Sequence, residues 1–429
     1  MAATHPVPNP PYAEGIGLPW DIPVGDAVAA IAEARARCGD TFVVQSGGDH
    51  YLFTFSPTGV ESFYALTEET ASKGIADFFM LRRKLPDEIF GGRRTLPNTL
   101  FRRDDVAVYL TNLDRALEQT RAELGPAGSA DVFDLTRRLG HRMGLASWAG
   151  PRSAEGEAFE RLVRALDTLD GSEAFVHPDR MAQVAATNKR AERAALDEIA
   201  DIVAIAVHRY DAGDHDGHAL FGRIVDAWKS ESSGRLRGIA FDVALIHVAS
   251  MSNLAAALGW ALVDLLEHPA ALERIRLDDK EFSQSCALES TRLAQRSIMT
   301  RAVLAPVDFD TGEVTYQVPP GWNIATLLPL LNTSAAPGLQ HWDPDRWTRY
   351  RLNEHDGLLS PMLVTAFGHG RHSCPAQPFS LAAMTAATTQ LLREYRMTPG
   401  WTSHPVPVPA QIGGVARAAG PCPVDYAAR

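Results

Sequence analysis

Cysteine, positive charge in blocks and an apolar leader are all scarce in this sequence. The four cysteines among 429 residues (Cys38, Cys286, Cys374 and Cys422) are widely spaced and form no C-x-x-C pair, which is the pattern of neither a disulfide framework nor a zinc site. A net charge of −11 without a long Lys/Arg block argues against a nucleic-acid partner. The Pro-rich N-terminus lacks the apolar core of a signal peptide. We therefore expect a soluble, cytoplasmic protein.

One segment is long and apolar enough to cross a bilayer. Residues 243–263, VALIHVASMSNLAAALGWALV, carry no formal charge over 21 positions. His247, Ser250, Ser252 and Asn253 lie at its centre, however, where lipid would penalise them. We therefore predict a long helix buried inside the protein, and we expect no membrane anchor.

The rest of the pattern predicts a mainly α-helical protein with a minor β part. Residues 26–37 are predicted to be helical, and the runs TFVVQS and YLFTFS, with Gly47–Gly48 between them, predict a hairpin. Residues 102–267 are almost wholly helical in pattern, with loops at GPAG, WAGPRS and DAGDHDG. EVTYQV predicts a strand, and QIGGVARAAG predicts loops and β structure. No composition break divides the chain, so we expect a single domain over residues 1–429.

The stretch TAFGHGRHSCPAQPFSL, residues 365–381, places one cysteine in a distinctive setting. Phe367, Gly370, Cys374 and a small residue at 376 give the spacing F-x-x-G-x-x-x-C-x-(G/A). The following run is helical in pattern, and a cysteine just before a helix N-terminus feels a positive dipole that favours the thiolate. A thiolate suits an iron ligand, and glycine lets the loop approach a flat cofactor. The segment resembles the ligand loop of the cytochrome P450 family, the haem-thiolate monooxygenases.

Further motifs follow in that family's order. ALESTRL supplies Glu289 and Arg292, an i,i+3 pair on one helix face, and HWDPDRW supplies Arg346. In the family these three side chains form a buried ion-pair triad behind the cysteine loop, and the resemblance implies the same role here. The apolar segment of residues 243–263 matches the family's central helix, which crosses the haem. The resemblance therefore implies the cytochrome P450 fold over nearly the whole chain.

The resemblance also implies haem b as cofactor, with Cys374 as its iron ligand and with Phe367 and Gly370 in the cofactor-binding loop. Arg301 lies where the family commonly places an arginine that binds a haem propionate. His372 takes the basic position two residues before the cysteine. Arg102 or Arg103, in FRRDDVAVYL, are weaker candidates for a propionate, because the family's frequent W-x-x-x-R is absent.

The central helix departs from the family pattern at the catalytic positions. A small residue followed by an acid and an alcohol usually delivers protons beside the bound oxygen. Here the register gives Ala249, then Ser252 for the acid and Asn253 for the alcohol, and an amide cannot ionise. This pattern resembles that of prostacyclin synthase, an isomerase, and also that of the sterol hydroxylases of bile-acid synthesis, which are monooxygenases. Asn253 leaves both reactions open.

The resemblance implies a monooxygenase that inserts one oxygen atom from O2 into a mid-sized, largely apolar small-molecule substrate. Ferredoxin and ferredoxin reductase are the expected electron donors, since no flavin domain is appended. The alternative is an enzyme with atypical oxygen activation, either an isomerase or a peroxide-dependent enzyme. A degenerate member that binds without catalysis is disfavoured by the retained Cys374. The further substrate-facing positions are expected to be Ile298, Met299, Gly413 and Gly414.

Overall fold

The structure is a computed structural model that describes residues 9–92, 94–95, 97–172, 174–370 and 373–429, the side chains at 97 and 98 excepted. As the sequence predicts, the protein is mainly α-helical with a minor β part. The helices are α1 (Ala27–Cys38), α2 (Pro57–Ala65), α3 (Lys73–Lys84), α4 (Pro97–Leu100), α5 (Val106–Leu124), α6 (Val132–Trp148), α7 (Gly156–Leu169), α8 (Pro178–Ala186), α9 (Arg190–Asp211), α10 (Ala219–Ala227), α11 (Arg235–Glu267), α12 (Pro269–Arg276), α13 (Lys280–Ala294), α14 (Leu328–Ser334) and α15 (Gln377–Glu394). The strands are β1 (Thr41–Ser46), β2 (Asp49–Thr54), β3 (Ala71–Ser72), β4 (Ala127–Asp131), β5 (Ile298–Val303), β6 (Val307–Asp310), β7 (Thr315–Val318), β8 (Asn323–Leu327), β9 (Trp347–Thr348), β10 (Arg351–Leu352), β11 (Tyr395–Pro399) and β12 (Pro423–Ala428).

The N-terminal hairpin is confirmed. Strands β1 and β2 pair antiparallel with Val43 opposite Leu52. Gly47 and Gly48 form the turn with φ of 58° and 89°, a left-handed pair that glycine adopts at little cost and that matches the twist of the strands. Strand β2 begins two residues before the predicted run YLFTFS. The hairpin is one edge of a five-stranded sheet of order β1-β2-β8-β5-β3, and Met299 of β5 lines the site described below.

The helical middle of the chain contains a strand where the sequence predicts a loop. Strand β4 overlaps GPAG and pairs antiparallel with β12, with Ser129 opposite Asp425. Strand β12 also pairs with β11, which gives a three-stranded sheet. The residues of β4 are exposed or half-buried and show no apolar alternation. Its partner lies at the far C-terminal end of the sequence, so a local pattern could not reveal the pairing.

Helix α11 contains the predicted apolar segment and extends beyond it at both ends to 33 residues. It packs against α6, α9, α13 and α15. By length and composition alone it is able to span a membrane, and 61% of its most apolar window is buried among the described residues. That burial is typical of a core helix that is apolar on all sides.

Helices α13 and α15 complete the frame of the site. They pack against each other and against α11. Residues 364–370 and 373–376 lie in the loop between a 3-10 turn, Pro361–Leu363, and the N-terminus of α15. Residues of this loop and of the middle of α11 line one large cavity. The fold thus brings the cysteine motif and the central helix to the same site.

Candidate functional site

The cysteine loop is shaped by its own backbone. The Cys374 amide donates to the carbonyl of Phe367 at 2.7 Å, which brings the two ends of the loop together. The Thr365 hydroxyl donates to the carbonyl of Gly368 at 3.1 Å and accepts from the Phe367 amide at 3.2 Å. Gly370 has φ of 58°, a left-handed conformation that favours glycine. The loop therefore delivers Cys374 to a position three residues before α15 begins.

Opposing effects act on the pKa of the Cys374 thiol. Burial has the largest effect and leaves the pKa of the thiol above its ordinary value, whereas the backbone N–H groups of Ala376 and Gln377 and the charge of Lys73 lower it by less. Those N–H groups belong to the N-terminal end of α15, where the helix dipole is positive, as the sequence predicts. A metal ion at the sulfur stabilises the thiolate further. The donor set is suited to a metal-bound thiolate.

Behind the loop, three charged side chains form a buried cluster. Glu289 accepts from Arg292 Nε and Nη2 at 2.8 and 2.7 Å and from Arg346 Nε at 2.8 Å. The Asp343 amide and the Trp347 indole N–H also donate to it, at 3.1 and 2.8 Å. Glu289 and Arg292 are fully buried, and Arg346 is 9% exposed. The i,i+3 spacing and the second arginine thus meet at one carboxylate, which is the ion-pair cluster that the sequence motifs predict.

A buried asparagine on α14 connects this cluster to the cysteine loop. The Asn332 amide nitrogen donates to the carbonyls of Arg292 and Thr365, both at 2.9 Å, and its oxygen accepts from the Thr365 amide at 2.9 Å. Arg292 Nη1 donates back to the Asn332 carbonyl. Gln295 donates to the carbonyl of Ala366 at 3.0 Å. Sequence analysis missed Asn332 and Gln295, because no motif marks a side chain whose partners are backbone atoms of distant segments.

The large cavity has a volume of about 1030 Å³. Cys374, Phe367 and other loop residues form one side, and α11 forms another with Ala249 and Asn253. This volume is at or above the upper end of the ~300–1,000 Å³ that is usual for a single small-molecule site. The cavity therefore has room for a large flat cofactor together with a second, smaller molecule.

The guanidinium of Arg301 is buried, and only one of its three nitrogens donates a hydrogen bond to another described residue. Its Nη1 donates to the Ala71 carbonyl at 2.9 Å and lies 3.6 Å from Glu68 Oε1. Among the described residues, its Nε and Nη2 have no hydrogen-bond partner. Burial lowers the pKa of this group, as expected for a cation removed from water. Alternation along β5 places Arg301 on the same face as Met299, which lines the cavity.

Arg94 is a second cation at the cavity, and sequence analysis did not single it out. It lines the cavity, and its Nη2 donates to the Ile89 carbonyl. Its Nη1 is buried without a partner among the described residues. Burial lowers the pKa of this guanidinium too. No motif surrounds Arg94, so only the three-dimensional structure indicates it.

The other predicted cofactor residues lie elsewhere. Arg102 and Arg103 are exposed, beside the 3-10 turn Arg103–Asp105, and neither lines the cavity. They point to solvent because that turn lies on the surface just before α5. Gly370 shapes the loop without lining the cavity. His372 lies outside the described residues.

The haem that the sequence predicts fits this site on three observations of its residues. The cavity is large enough for a tetrapyrrole, and a thiol with helix N–H donors faces it. Arg94, which lines the cavity, and Arg301, whose ion-pair partner Glu68 lines it, each have buried guanidinium N–H donors without partners among the described residues, and the haem carboxylates would satisfy them.

The predicted substrate positions divide into two sets. Met299 and Gly414 line the cavity. Ile298 does not, because it is on the opposite face of β5 from Met299 and packs against the core of the N-terminal sheet. Gly413 is exposed and does not line the cavity either. The structure thus brings one residue of each predicted pair to the site.

Helix α11 presents different faces to different surroundings. Ala249 and Asn253 line the large cavity, one helical turn apart. The Asn253 oxygen accepts from the Val415 amide at 2.8 Å, and its nitrogen donates to the Ala249 carbonyl at 3.3 Å. Ser252 is turned to another side, where its hydroxyl donates to Asp170 Oδ2 at 3.0 Å. The structure therefore brings Ala249 and Asn253, and not Ser252, to the cavity that Cys374 lines.

Sequence comparison with known proteins adds information that is independent of the site's geometry. No protein-family model matches the chain. The chain is 21% identical to the 24-hydroxycholesterol 7-alpha-hydroxylase of Homo sapiens over an alignment of 461 positions, which covers 98% of this chain and 94% of that protein. It is 24% identical to the cytochrome P450 monooxygenase pyvB of Aspergillus violaceofuscus over an alignment of 445 positions, which covers 95% of this chain and 87% of that protein. Similarity to cytochrome P450 81F4 of Arabidopsis thaliana, at 24% identity, covers 73% of this chain and 66% of that protein.

Proposed function

Because the chain belongs to the cytochrome P450 family, whose members are haem-thiolate oxidoreductases, we propose that it inserts one oxygen atom from O2 into a mid-sized, largely apolar organic substrate. The observation that carries the proposal is the shared cavity, in which Cys374 and the Ala249–Asn253 face of α11 line one volume of about 1030 Å³. Its apolar lining includes Leu245, Ile246 and Met299. Such a wall with a few polar groups suits an apolar small molecule.

Haem b is the cofactor. We propose that the sulfur of Cys374 binds its iron and that Arg301 and Arg94 bind its carboxylates. When bound, the haem supplies oxygen activation, and thiolate ligation favours cleavage of the O–O bond. The N–H groups of Ala376 and Gln377 favour negative charge on the sulfur and oppose the burial that raises the pKa of the thiol. Arg301 is fully buried, so a carboxylate there also compensates a charge that burial makes costly.

Asn253 holds the substrate side of the site in place. In this structure its oxygen accepts from the Val415 amide and its nitrogen donates to the Ala249 carbonyl. One amide hydrogen of Asn253 is left to donate into the cavity. An amide cannot ionise, so Asn253 orients a bound group and does not relay protons. Ala249, with no side chain beyond Cβ, leaves space beside it.

The reaction takes electrons from a redox partner and acts on a small molecule, and we propose ferredoxin and ferredoxin reductase as the donors. Similarity to one relative takes up 98% of this chain, which leaves no stretch for a flavin domain within these 429 residues. The same observation supports a single domain over residues 1–429. We propose a soluble protein in the cytoplasm, which the extensive burial of α11 favours.

A second candidate function follows from Asn253 and Ser252. The central helix lacks an acid–alcohol pair, and Asn253 faces the cavity in place of the alcohol. An enzyme that rearranges a substrate with an existing O–O bond, or one that uses peroxide, has no need of the protons that such a pair delivers. This alternative predicts turnover without electrons from a reductase.

The source of the oxygen atom distinguishes the two candidates. Haem-loaded protein is mixed with 24-hydroxycholesterol and a panel of other apolar compounds, and binding is detected by the change in haem spin state. The best binder is then incubated either with ferredoxin, its reductase and isotopically labelled dioxygen, or with hydrogen peroxide alone. We expect labelled product only in the first mixture. Product in the second mixture alone supports the alternative, and product in neither contradicts both.

Replacing Arg301 with glutamine should weaken haem binding without weakening the apoprotein. Loss of the charge-assisted hydrogen bonds to a carboxylate costs about 2 kcal/mol, which corresponds to about thirtyfold faster haem loss. In the apoprotein the substitution removes a buried charge with two N–H groups that lack partners among the described residues, so its unfolding free energy should change little. Haem transfer to apomyoglobin measures the first effect and denaturant unfolding the second.

The control for this prediction is Arg103→Gln, which removes the same charge from an exposed position outside the cavity. Its haem should dissociate at the wild-type rate. Equal haem loss from the wild type and from Arg301→Gln would contradict the proposed role of Arg301.

A further inference from the structure

A second cavity, of about 50 Å³, lies beside α11 and is distinct from the large one. Polar groups from four segments line it: Arg137 and His141 of α6, Asp170 and Ser172 just after α7, His247 and Ser252 of α11, and Gln411 and Arg417 near the C-terminal end of the chain. Val415 lines both cavities. A single residue and its neighbours therefore form the wall between this small polar space and the candidate active site.

Asp170 places a carboxyl group beside Ser252, the residue of α11 that stands in place of the usual acid. The Ser252 hydroxyl donates to its Oδ2 at 3.0 Å, and the Ser172 amide donates to its Oδ1 at 3.0 Å. Asp170 also lines an open groove on the surface, and 17% of its side chain is exposed. It therefore touches solvent on one side and α11 on the other. Arg137 Nη2 lies 3.9 Å from Asp170 Oδ2.

Two histidines continue the polar lining inward. His141 Nε2 lies 3.1 Å from Asp167 Oδ1, and His141 Nδ1 lies 3.0 Å from His247 Nε2. If the carboxylate accepts from Nε2 of His141, then His247 Nε2 donates to Nδ1 and the Nδ1 of His247 is left as an acceptor. That Nδ1 is buried and has no partner among the described residues.

These groups together define a site for water. One water molecule needs about 10–15 Å³ and at least two polar partners, and the small cavity exceeds that volume. The unpartnered Nδ1 of His247 requires a donor, since burying a polar atom unpaired is costly. Burial lowers the pKa of His247 well below its usual value, so its ring is neutral and can accept. Ser252 and Asp170 offer the further partners.

We propose that this cavity holds ordered water and passes protons from Asp170, through the Ser252 hydroxyl, to the Asn253 side of the active site. The proposal deepens the monooxygenase function and rests on it, because only oxygen activation from O2 requires the protons. It explains how α11 functions without its own acid: the carboxyl comes from the neighbouring segment, and Ser252 is the link.

Each transfer is balanced. Asp170 takes a proton from solvent at the groove and donates it to Ser252 Oγ, while the serine proton passes to a cavity water, which restores the hydroxyl. The water passes the proton on when the Asn253 side chain turns away from Val415 and joins the two cavities. Glycine at 414 is needed for the closed state, because a Cβ there would lie 2.1 Å from the Asn253 oxygen. No oxidant or reductant enters these steps.

A crystal structure of the haem-loaded protein tests the water site without any turnover. We expect an ordered water within hydrogen-bond distance of His247 Nδ1 and Ser252 Oγ. Its loss is expected in Ser252→Ala. A dry cavity in the wild type at a resolution that shows other internal waters would overturn the proposal.

The coupling of electrons to product tests the proton path. In Asp170→Asn we expect about a hundredfold less product per electron, at the low end of what positioned acids contribute, with more hydrogen peroxide released. The solvent isotope effect on turnover should rise. Asp170→Glu should restore coupling. Peroxide-driven turnover should change less than twofold, since peroxide carries its own protons. The substrate is the panel compound with the largest spin-state change.

Asp134→Asn is the matched control, because Asp134 is an exposed acid at the same groove that does not line the small cavity. Its coupling should equal that of the wild type. Unchanged coupling and isotope effect in Asp170→Asn would overturn the proton path while wild-type oxygenation still stands. A wild type that makes no product from O2 contradicts the proposed function instead. In that case the crystal structure still tests the water site.

Discussion

Replacing Cys374 with serine should abolish oxygenation and remove the red-shifted Soret band of the ferrous–CO complex. Serine keeps the backbone amide that donates to Phe367 at 2.7 Å, so the loop should retain its shape. It replaces the polarisable thiolate by a hydroxyl, a much weaker iron ligand. We expect turnover to fall by at least about a thousandfold, because thiolate donation acts directly on O–O cleavage, and the size of that loss corresponds to about 4 kcal/mol of activation free energy.

Absorption spectra of reduced, CO-saturated protein and product analysis measure the two effects. Cys38→Ser is the control, since Cys38 is half-buried and lies outside the cavity. That variant should retain both the band and the activity. A red-shifted band in Cys374→Ser would show that another residue binds the iron and would remove the basis of the proposed function.

The features that could be predicted from the sequence are those that depend on residues close to one another in the chain. The hairpin follows from two adjacent glycines, and the contact of Glu289 with Arg292 follows from an i,i+3 pair on one helix. Cys374 is marked by the glycines and the helix that flank it. In each case the residues that interact are near one another in the chain, so a local pattern carries the information.

The rest depends on contacts between distant segments. Arg94 and Asn332 have no motif, and their roles become visible only when the cavity and the cysteine loop are assembled. Arg102 and Arg103 match the expected region but lie on the surface. Ser252 matches the family register, yet the 100° step between consecutive helical residues separates its side chain from that of Asn253. Sequence register alone does not decide which side chain reaches a cavity.

Ser252 also shows how one helix can serve two sites. Asn253 faces the large cavity, and its neighbour in the chain contacts Asp170 in the small one. The central helix has no acid at this position, and Asp170 of another segment places a carboxyl group beside it. The sequence of α11 alone shows only that the acid is absent. The folded structure places the carboxyl of Asp170 in hydrogen-bond contact with the hydroxyl of Ser252.

Replacing Glu289 with glutamine should be among the most destabilising single changes in this protein. The carboxylate accepts five hydrogen bonds and balances two buried guanidinium groups. The amide removes the negative charge and turns an NH2 group toward donors. Breaking a buried ion pair from one side costs about 3–5 kcal/mol. Denaturant unfolding of the apoprotein should show a loss of that size.

The matched control is Glu273→Gln on α12, another glutamate in an i,i+3 pair with an arginine. Its carboxylate lies 3.5 Å from Arg276 and its side chain is 63% exposed. Exposed pairs contribute about 0–1 kcal/mol, so the same substitution should cost little there. Equal losses in the two variants would contradict the role of burial.

The two variants should also differ in how they hold haem. Arg292 donates to the backbone of Asn332, and Asn332 fixes Thr365 at the start of the cysteine loop. Disturbing Glu289 therefore disturbs the loop that carries Cys374, although the carboxylate does not line the cavity. We expect haem to dissociate faster from Glu289→Gln than from the wild type and at an unchanged rate from Glu273→Gln. A destabilised Glu289→Gln variant with normal haem retention would show that the ion-pair cluster supports the fold alone.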